Sequence, residues 1–367
     1  MRDSENITCG SAPASVCGTS RRNRKVFVVA GFPPPPGGIA VHAERLCHLL
    51  LREGYDVVAY ETNRKNKVPV SRAFRCYSAS GLRTNIRLAA DAFFERPGLV
   101  HMHVSAIGNP IAFILGVHWI SVSAPVIITV HSGSFPDKAA RLGKNARFML
   151  KTAFARATHI VATSSPIKGA LIEHFGVPPA RITVIPAFLR PPDDRAVRRA
   201  VPEPGVVLAS GYGTRTYFWE GLIEAARLVP DLRELVLAFY TQFEPGYYEA
   251  ILGKARGKFG FKVTIHENLS NDEFLSELAR CSVFVRPTFT DGDSIALREA
   301  LALGRIVVAS DAVPRPEGCV LFRSGDVNDL RVKLAAATSS VSSSRAAGQD
   351  FSQPILQLYK RVIFKGD

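Results

Sequence analysis

The sequence predicts an α/β protein built from two doubly wound, Rossmann-like parallel-sheet domains. Short apolar runs alternate with segments of helical periodicity between residues 25 and 185, and the same alternation starts again at residue 206 and continues to residue 309. This alternation is typical of parallel sheets that are covered by helices on both faces. A length of 367 residues exceeds what one hydrophobic core usually holds, so two domains are expected.

The first series begins with a strand at residues 25–31, a proline-stiffened loop and a helix at residues 39–51. Its other strands are predicted at residues 56–60, 98–104, 126–130, 159–162 and 182–185. The second series has predicted strands at residues 206–210, 234–238, 262–266, 282–285 and 306–309. Each is a short apolar run bounded by turn residues or charges, which favours a strand over a helix.

Changes in composition predict the domain boundaries. Residues 1–24 are polar, end in a basic cluster and lack an apolar segment, so they indicate a disordered basic tail and not a signal peptide. The stretch 189–204, rich in proline, arginine and aspartate, is the expected linker between domains at 25–188 and 205–345. Residues 346–367 are predicted to hold a terminal helix.

The charge balance requires an anionic partner. A net charge of +14 and a pI of about 9.7 indicate nucleic acid, an acidic membrane or a phosphorylated substrate. Since no zinc finger, aromatic RNA-binding motif or basic region joined to heptads occurs, no nucleic-acid partner is predicted. The six cysteines include no C-x-x-C pair, so a reducing cytoplasm is expected. The longest apolar stretch, residues 110–130, is interrupted by polar residues and proline, which makes it a poor membrane span.

The most informative segment is Asp291-Gly292-Asp293-Ser294, followed by Glu299. It lies between two predicted strands, so it is expected to form a polar turn that leads into a helix. Ser294 is the expected N-cap, and the free amides of the first helical turn would bind a phosphate. The Glu299 carboxylate can accept hydrogen bonds from two vicinal hydroxyls, and Asp291 ends the strand beside them. Together these parts predict a site for a sugar nucleotide.

Two acids eight positions apart in this context resemble the nucleotide-sugar site of the retaining glycosyltransferases of family 4. Asp291 and Glu299 have that spacing, with aspartate in place of the more usual first glutamate. The resemblance extends over residues 25 to 364 and implies the B-type glycosyltransferase fold, in which the terminal helix crosses back to the first domain. It further implies that Glu299 holds the ribose, that Asp291 holds hydroxyls of the donor sugar, and that Gly292, Asp293 and Ser294 belong to the donor site.

Two glycine-rich loops are the expected partners of that segment. Gly37-Gly38 ends one loop directly before a helix, and Gly211 and Gly213 lie in the loop that opens the second domain. Glycines let the backbone approach a ligand closely, and the first loop of a doubly wound sheet is a common ligand site. Gly37-Gly38 before a helix that carries His42 resembles the family's opening motif. The dinucleotide fingerprint and the Walker phosphate loop are both missing there, which argues against a dehydrogenase or an ATPase.

Three residues are the candidates for catalysis. Arg215 follows the second glycine-rich loop, where its guanidinium would neutralise a diphosphate. His131 follows a predicted strand and resembles the family's histidine that touches the transferred sugar; His103, at the end of another strand, is ranked below it. Asp291 completes the set. The family normally supplies a lysine near Arg215 as well, and this chain has Trp219 there.

Asp291-Gly292-Asp293 is also a D-x-D sequence, which binds a divalent metal and diphosphate in the other main glycosyltransferase fold. That fold has one mixed-sheet domain, whereas this motif falls late in a second parallel-sheet series. We therefore predict no metal and no cofactor.

Basic residues recur at intervals of three or four: Lys138, Arg141, Lys144, Arg147 and Lys151. They alternate with apolar positions at 148, 150 and 154, which predicts a basic amphipathic helix. Such a helix can lie on anionic lipid, and it can equally be an ordinary solvated helix face. The sequence leaves both interpretations open.

The expected function is that of a metal-independent, retaining hexosyltransferase that moves a sugar from a nucleoside diphosphate sugar to a hydroxyl. A lipid-linked saccharide in cell-surface polysaccharide assembly is the expected acceptor. The expected location is the cytoplasm, with peripheral contact at the inner face of the membrane. Two alternatives stay open: a nucleotide-sugar epimerase of the same architecture, and a non-catalytic sugar-nucleotide binding protein, for which the missing lysine argues.

Overall fold

The computed structural model describes residues 24–34, 37–62, 72–78, 81–105, 110–189, 199–340 and 350–364. The predicted tail, apart from Arg24, and most of the predicted linker lie outside these ranges. All named strands belong to two sheets, one of seven strands and one of six. Every strand pair in both sheets is parallel.

The first sheet has the strand order β3-β2-β1-β4-β5-β6-β7. Its strands are β1 (Lys25–Ala30), β2 (Asp56–Glu61), β3 (Arg75–Ser78), β4 (Leu99–Val104), β5 (Val126–Val130), β6 (His159–Ala162) and β7 (Ile182–Val184). Its helices are α1 (Gly38–Arg52), α2 (Gly81–Glu95), α3 (Pro110–Ser123), α4 (Phe135–Ala140), α5 (Lys144–Arg156) and α6 (Ser165–Phe175). The strand order reverses between β1 and β4, so a crevice opens at their carboxyl ends.

Both faces of this sheet are covered because its strands are apolar on both sides. One face packs against α2, α3, α5 and α6, which contribute Leu88, Val117, Leu150 and Leu171 to a single core. The other face packs against α1, whose apolar residues recur at helical spacing and point inward. The two layers therefore have different helices and different outer surfaces.

The second sheet has the order β10-β9-β8-β11-β12-β13. Its strands are β8 (Glu203–Gly213), β9 (Glu234–Phe243), β10 (Lys262–Glu267), β11 (Cys281–Arg286), β12 (Ile306–Ser310) and β13 (Cys319–Phe322). Its helices are α7 (Trp219–Ala226), α8 (Tyr247–Ala255), α9 (Asn271–Arg280), α10 (Ile295–Ala302) and α11 (Val327–Ser339). Here the order reverses between β8 and β11, which places a second crevice at that point.

The last helix, α12 (Ser352–Ile363), packs against the first sheet and not the second. Ile355, Leu356 and Tyr359 share a core with residues of β1 and α1. The Tyr359 hydroxyl lies 2.6 Å from Nδ1 of His101, a buried residue of β4. Apolar burial and one buried polar contact therefore fix the end of the chain to the first domain.

The predicted fold class is confirmed, since both sheets are parallel and doubly wound. Two strands were not predicted, β3 and β13, and both lie at a sheet edge. Edge strands are short and half-exposed, so their apolar pattern is weak. The stretch 110–130 forms α3 and β5. Among the described helices, none is both long and apolar enough to cross a bilayer.

The single basic helix predicted over residues 138–154 is wrong, because α4 ends at Ala140 and α5 begins at Lys144. Arg147 explains part of the break: its guanidinium donates to the carbonyl oxygens of Ala140 and Leu142, at 3.1 and 3.2 Å. A cation at the carboxyl end of a helix satisfies carbonyl groups that lack helical partners. Arg147 therefore caps α4 and does not lie on a free basic face.

Candidate active site

A cavity of about 340 Å³ lies between the carboxyl ends of the two sheets. The first domain lines it with the loop before α1 and with residues 131–134 after β5. The second domain contributes residues 210–212 at the end of β8 and residues 290–296 at the start of α10. The two switch-point crevices therefore open into one shared space.

The amino terminus of α10 forms part of the cavity wall. Ser294 is its N-cap, and the Ser294 hydroxyl accepts a hydrogen bond from the backbone N–H of Leu297 at 3.4 Å. Ser294, Ile295 and Ala296 all line the cavity. The remaining amides of the first turn give this wall a partial positive charge that favours a phosphate.

Glu299 lies one turn further along α10 and also lines the cavity. Its Oε1 accepts a hydrogen bond from Nη2 of Arg45, a residue of α1 in the first domain. Only 4% of either side chain is exposed. Among the described residues, no hydrogen-bond partner of Oε2 is found. One carboxylate oxygen is thus held by the other domain, while the second can still accept a hydrogen bond.

Asp291 lies at the cavity wall, but its carboxylate is fully engaged. Oδ2 accepts from Arg286 Nε and Arg315 Nη1 at 2.8 and 2.9 Å, and Oδ1 accepts from Arg286 Nη2 and the Gly292 N–H at 3.0 Å each. Burial opposes ionisation, yet the two guanidinium groups lower the pKa of Asp291. A carboxylate has about four acceptor positions, so none is left for a sugar. The expected role of Asp291 on sugar hydroxyls stays a prediction; in this structure the carboxylate positions two arginines.

Arg286 is the arginine that reaches the cavity. It is 9% exposed, its Nη1 donates to the Ser210 carbonyl at 2.9 Å, and its guanidinium stacks 5.0 Å from the ring centre of Tyr217. A guanidinium has five N–H donors, and three are used by Asp291 and Ser210. The Tyr217 hydroxyl takes a further hydrogen bond from Arg286, which leaves one donor for an anion in the cavity.

Asp293 ties the two domains together. Its Oδ2 accepts a hydrogen bond from the backbone N–H of Ala187 in the first domain at 2.7 Å, and its Oδ1 accepts from Arg298 Nε. Burial raises the pKa of Asp293, although Arg298 opposes that shift. Asp293 lines the cavity, and its carboxylate serves an interdomain contact.

Arg215 is not among the residues that line the cavity. Its side chain is 70% exposed, its Nε donates to Glu244 at 2.8 Å, and its guanidinium stacks on Tyr247. Trp219, at the position of the family's lysine, is fully buried, and its Nε1 donates to the Tyr212 carbonyl at 2.8 Å. The leaving-group role of Arg215 stays a prediction, and the arginine found in the lining of this cavity is Arg286.

The predicted glycines have different surroundings. Gly37 is the N-cap of α1, and Gly37 and Gly38 both line the cavity. Gly211 lines it too, whereas Gly213 packs beneath the ring of Tyr248, which a Cβ would approach to 2.6 Å. Three of these four glycines thus lie at the cavity, and the fourth supports the loop from behind.

The closest contact between the domains is made by two other backbones. A Cβ on Gly133 would lie 1.8 Å from the Asp291 carbonyl oxygen, and a Cβ on Gly292 would lie 2.6 Å from the His131 carbonyl oxygen. No side chain fits at such distances. Glycine at 133 and 292 therefore allows the domains to meet directly at the cavity.

Three buried histidines lie together on the first-domain side. Nδ1 of His103 is 3.0 Å from Nε2 of His131, and Nδ1–H of His42 donates to the Ala187 carbonyl at 2.9 Å. Burial lowers the pKa of His42 to about 4 and the pKa of both other rings well below the ordinary value. All three are neutral near pH 7.

The hydrogen bonds fix the tautomer of His131. Nε2 of His103 is buried without a partner, and an unpaired buried N–H is the costlier arrangement. The proton of His103 is therefore on Nδ1 and is donated to His131 Nε2. This leaves the His131 proton on Nδ1, so His131, which lines the cavity, has an N–H to donate.

These histidines are also the one group among the described residues with three metal-ligand atoms within 4.8 Å of one another. Two of those rings already share a hydrogen bond, and the third is held by a carbonyl. The D-x-D acids offer no better ligands, because Asp291 and Asp293 are both paired with arginines.

Residues 36–191 match the sequence model of Glycosyltransferase Family 4. The amino-terminal domain is therefore similar to glycosyltransferase family 4. The match spans α1, the histidine cluster and the cavity loops of the first domain. No curated protein sequence matches the chain.

Solved structures of glycosyltransferases share the fold of this chain over more than nine tenths of its length. Sucrose-phosphate synthase from Thermosynechococcus elongatus is 17% identical, with a TM-score of 0.64 over 93% of this chain and 97% of that one. Anabaena HepE, solved with UDP and glucose, is 14% identical, with a TM-score of 0.64 over 92% and 96%. A glycosyltransferase from Rickettsia africae is 14% identical, with a TM-score of 0.65 over 94% and 100%. The chain therefore has the B-type glycosyltransferase fold.

Sequence reasoning missed three arginines at the cavity and its acidic residues: Arg45, Arg286 and Arg315. Arg286 had a usable signal, because it follows β11 directly and strand carboxyl ends carry the ligands of such sheets. For Arg45 and Arg315 the sequence contains no such signal. Each lies far along the chain from its acidic partner, 254 residues for Arg45 and 24 for Arg315, and no periodicity reports such a pairing.

Proposed function

We propose that the protein is a retaining glycosyltransferase that moves a sugar from a nucleoside diphosphate sugar to a hydroxyl. The observation that carries the proposal is the cavity between the domains, where the amino terminus of α10, Glu299 and His131 face one space. Phosphate, ribose and sugar each have a chemically suitable partner there. The HepE structures, which contain UDP, glucose or UDP-glucose, make UDP-sugars the first donors to test.

The diphosphate would bind at the α10 amides and the remaining N–H group of Arg286. Glu299 Oε2 would accept hydrogen bonds from the ribose hydroxyls. His131 would donate Nδ1–H to a hydroxyl of the donor sugar from the first domain. Asp291 would hold Arg286 in place, so its contribution to transfer is indirect.

The chemistry follows from what the carboxylates can do. The three that line the cavity belong to Asp291, Asp293 and Glu299, and each is paired with an arginine. Of their oxygens, only Glu299 Oε2 has no hydrogen-bond partner among the described residues, and we assign it to the ribose. The barrier would therefore be lowered by stabilising the departing diphosphate while an oxocarbenium-like sugar forms. Attack on the face that the diphosphate leaves, without metal, would retain the anomeric configuration.

In the proposed reaction, the close contact at Gly133 and Gly292 would help to keep water out of the site. Water competes with the acceptor for the activated sugar, and closure of two domains excludes it. Hydrogen bonds from Arg45 to Glu299 and from Ala187 to Asp293 hold the same closed arrangement.

The acceptor that we propose is a lipid-linked saccharide in cell-surface polysaccharide assembly, reached from the cytoplasmic face of the membrane. The basic surface supports this assignment. Lys138, Arg141, Lys144 and Lys151 are exposed, and cations near an anionic bilayer are attracted to it. Arg147, which caps α4, is left out of this surface.

A second candidate is a non-catalytic protein that binds sugar nucleotides. The position of Arg215 outside the cavity and the burial of Trp219 favour it, since both family cations are missing from the leaving-group site. Release of free nucleotide only when an acceptor is added would exclude both this candidate and an epimerase.

A panel of UDP-, GDP- and dTDP-sugars is expected to raise the melting temperature with one base preferred. A ligand at a hundred times its dissociation constant adds about 2.7 kcal/mol to the free energy of unfolding. Differential scanning fluorimetry checks this. If no nucleotide sugar at millimolar concentration shifts the transition, the assignment of the cavity as a donor site is wrong.

Replacing Gly133 with alanine is expected to force the two domains apart, because the new Cβ would meet the Asp291 carbonyl at 1.8 Å. Small-angle X-ray scattering should show a larger radius of gyration, and transferase activity should fall by roughly 100-fold, the effect of about 1 Å of misplacement. Gly143→Ala is the matched control, since a Cβ on Gly143 meets nothing within 4 Å. If Gly133→Ala has the radius of gyration and the transferase activity of the wild type, close contact of the domains at this point is not required for transfer.

A further inference from the structure

One outer surface of the first domain is made by three helices that lie side by side. α2, α3 and α5 pack on the same face of the first sheet and share one core through Leu88, Val117 and Leu150. The helix α1 and the terminal helix α12 cover the opposite face. The outward sides of α2, α3 and α5 therefore form a continuous layer, which we call the α2–α3–α5 surface.

The middle helix of this layer is apolar on the side that faces away from the core. Leu115, Trp119 and Val122 are 54, 69 and 79% exposed. Their spacing of four and three residues places them on one helical stripe. Val117 and Ile120 form the buried stripe of the same helix. A surface helix normally turns polar residues outward, so α3 lacks the outer face that solvent would favour.

The neighbouring helices extend this apolar stripe on both sides. On α2, Ile86 and Phe93 are seven residues apart and exposed, and Phe94 is 79% exposed. On α5, Phe148 is 68% exposed. Isolated exposed apolar residues are ordinary, whereas a contiguous set marks an interaction site. Seven of the thirteen large apolar side chains that are exposed among the described residues belong to this one layer.

The charges around the apolar residues are positive. The three helices contain six arginines and lysines and two acids. Both acids are engaged: Asp91 is bonded to Tyr60 and Arg87, and Glu95 is paired with Lys25. On α5, Lys144 and Lys151 lie on the same stripe as Phe148. The surface thus combines an apolar centre with basic flanks.

We propose that the α2–α3–α5 surface docks on an anionic phospholipid bilayer, with Trp119 and Phe148 at the boundary between headgroups and acyl chains. Tryptophan favours that boundary, and an apolar helix face with lysine and arginine beside it binds anionic lipid from the surface without spanning it. A second copy of the chain is a poorer occupant, because two such surfaces would bring like charges together. The proposal deepens the proposed function by naming the surface that brings the cavity to a lipid-linked acceptor.

The tryptophans provide a built-in reporter. The chain has two, of which Trp219 is fully buried in the second domain and Trp119 is exposed on this surface. A blue shift of the emission on adding vesicles therefore reports on Trp119. Vesicles of phosphatidylcholine with and without phosphatidylglycerol are added to the full-length protein in the absence of any sugar nucleotide. The measurement is thus independent of the donor site.

We expect the protein to co-sediment with phosphatidylglycerol-containing vesicles and its emission to shift to the blue, with brominated lipid quenching the shifted emission. Trp119→Glu or Phe148→Glu should weaken vesicle binding roughly tenfold or more, because each removes buried apolar area and adds a repelled charge. Val332→Glu is the matched control, since Val332 is a similarly exposed residue of α11 in the second domain. Its vesicle binding should be unchanged.

Several outcomes would overturn the proposal. These are no binding to either kind of vesicle, equal binding to neutral and anionic vesicles, or equal loss in the Val332→Glu control. Analytical ultracentrifugation without lipid gives a further test: a dimer that Trp119→Glu dissociates would assign the surface to a second copy. The donor-induced thermal shift is measured on the same variants. If a variant loses vesicle binding but keeps the donor-induced thermal shift, the substitution has affected the lipid-binding surface and not the donor site.

Discussion

Replacing Glu299 with alanine is expected to weaken sugar-nucleotide binding by about 100-fold or more. A charged acceptor contributes about 1.5–3 kcal/mol for each hydrogen bond, and the ribose offers two hydroxyls. Calorimetric titration with the nucleotide sugar that stabilises the wild type most is the measurement. If Glu299→Ala binds the nucleotide sugar as tightly as the wild type, the ribose does not contact Glu299.

The control for this prediction is Arg45→Met. Both variants break the same buried ion pair and leave one charge uncompensated, which costs about 3–5 kcal/mol of stability. Only Glu299→Ala removes the oxygen that would contact the ribose. We therefore expect both variants to be destabilised and Arg45→Met alone to keep measurable donor affinity. Equal loss of affinity in the two would mean that Glu299 acts through interdomain structure and not through contact with the donor.

The second large effect is expected from Asp291→Ala, which should destabilise the second domain by about 3–5 kcal/mol. The substitution leaves Arg286 and Arg315 facing each other in a buried position without their shared carboxylate. Urea unfolding followed by the emission of the buried Trp219, in a Trp119→Phe background, measures the change. Donor affinity should fall as well, because Arg286 loses the two hydrogen bonds that orient it.

The pH dependence of this variant has a defined sign. The arginines lower the pKa of Asp291 in the folded protein below its ordinary value of 3.8. The carboxylate therefore contributes its full stability above that value, and the contribution is lost as the pH falls through the lowered pKa. Asp291→Ala should lack this component of acid destabilisation.

Glu244→Ala is the matched control for an exposed acid–arginine pair. Glu244 and Arg215 are 38 and 70% exposed as side chains, and exposed pairs contribute little to stability. We expect both the free energy of unfolding and the donor affinity of Glu244→Ala to stay close to the wild-type values. A large loss of donor affinity in Glu244→Ala would indicate that Arg215 contacts the diphosphate of the donor.

Most of the strands and helices could be predicted because each is decided within its own segment. β5 and β11 are short runs of apolar residues, and such runs are stable only as strands buried on both faces. The edge strands β3 and β13 were not predicted, because one side of each is exposed and the apolar pattern is correspondingly weaker. The break between α4 and α5 escaped for another reason: the side chain of Arg147 folds back onto carbonyls of α4, a contact that charge spacing does not reveal.

By itself the sequence determined the two parallel sheets and the strand–turn–helix segment from Asp291 to Glu299. Both follow from local patterns of apolar residues, caps and glycines, whose physics acts over a few residues. Only the tertiary structure decided what those side chains do. It placed Arg286 and Arg315 on Asp291, brought Arg45 across the cleft to Glu299, and turned Arg215 outward. Charges that are distant in the chain pair only when folding removes them from water together, so their partners are set by the packing of the domains.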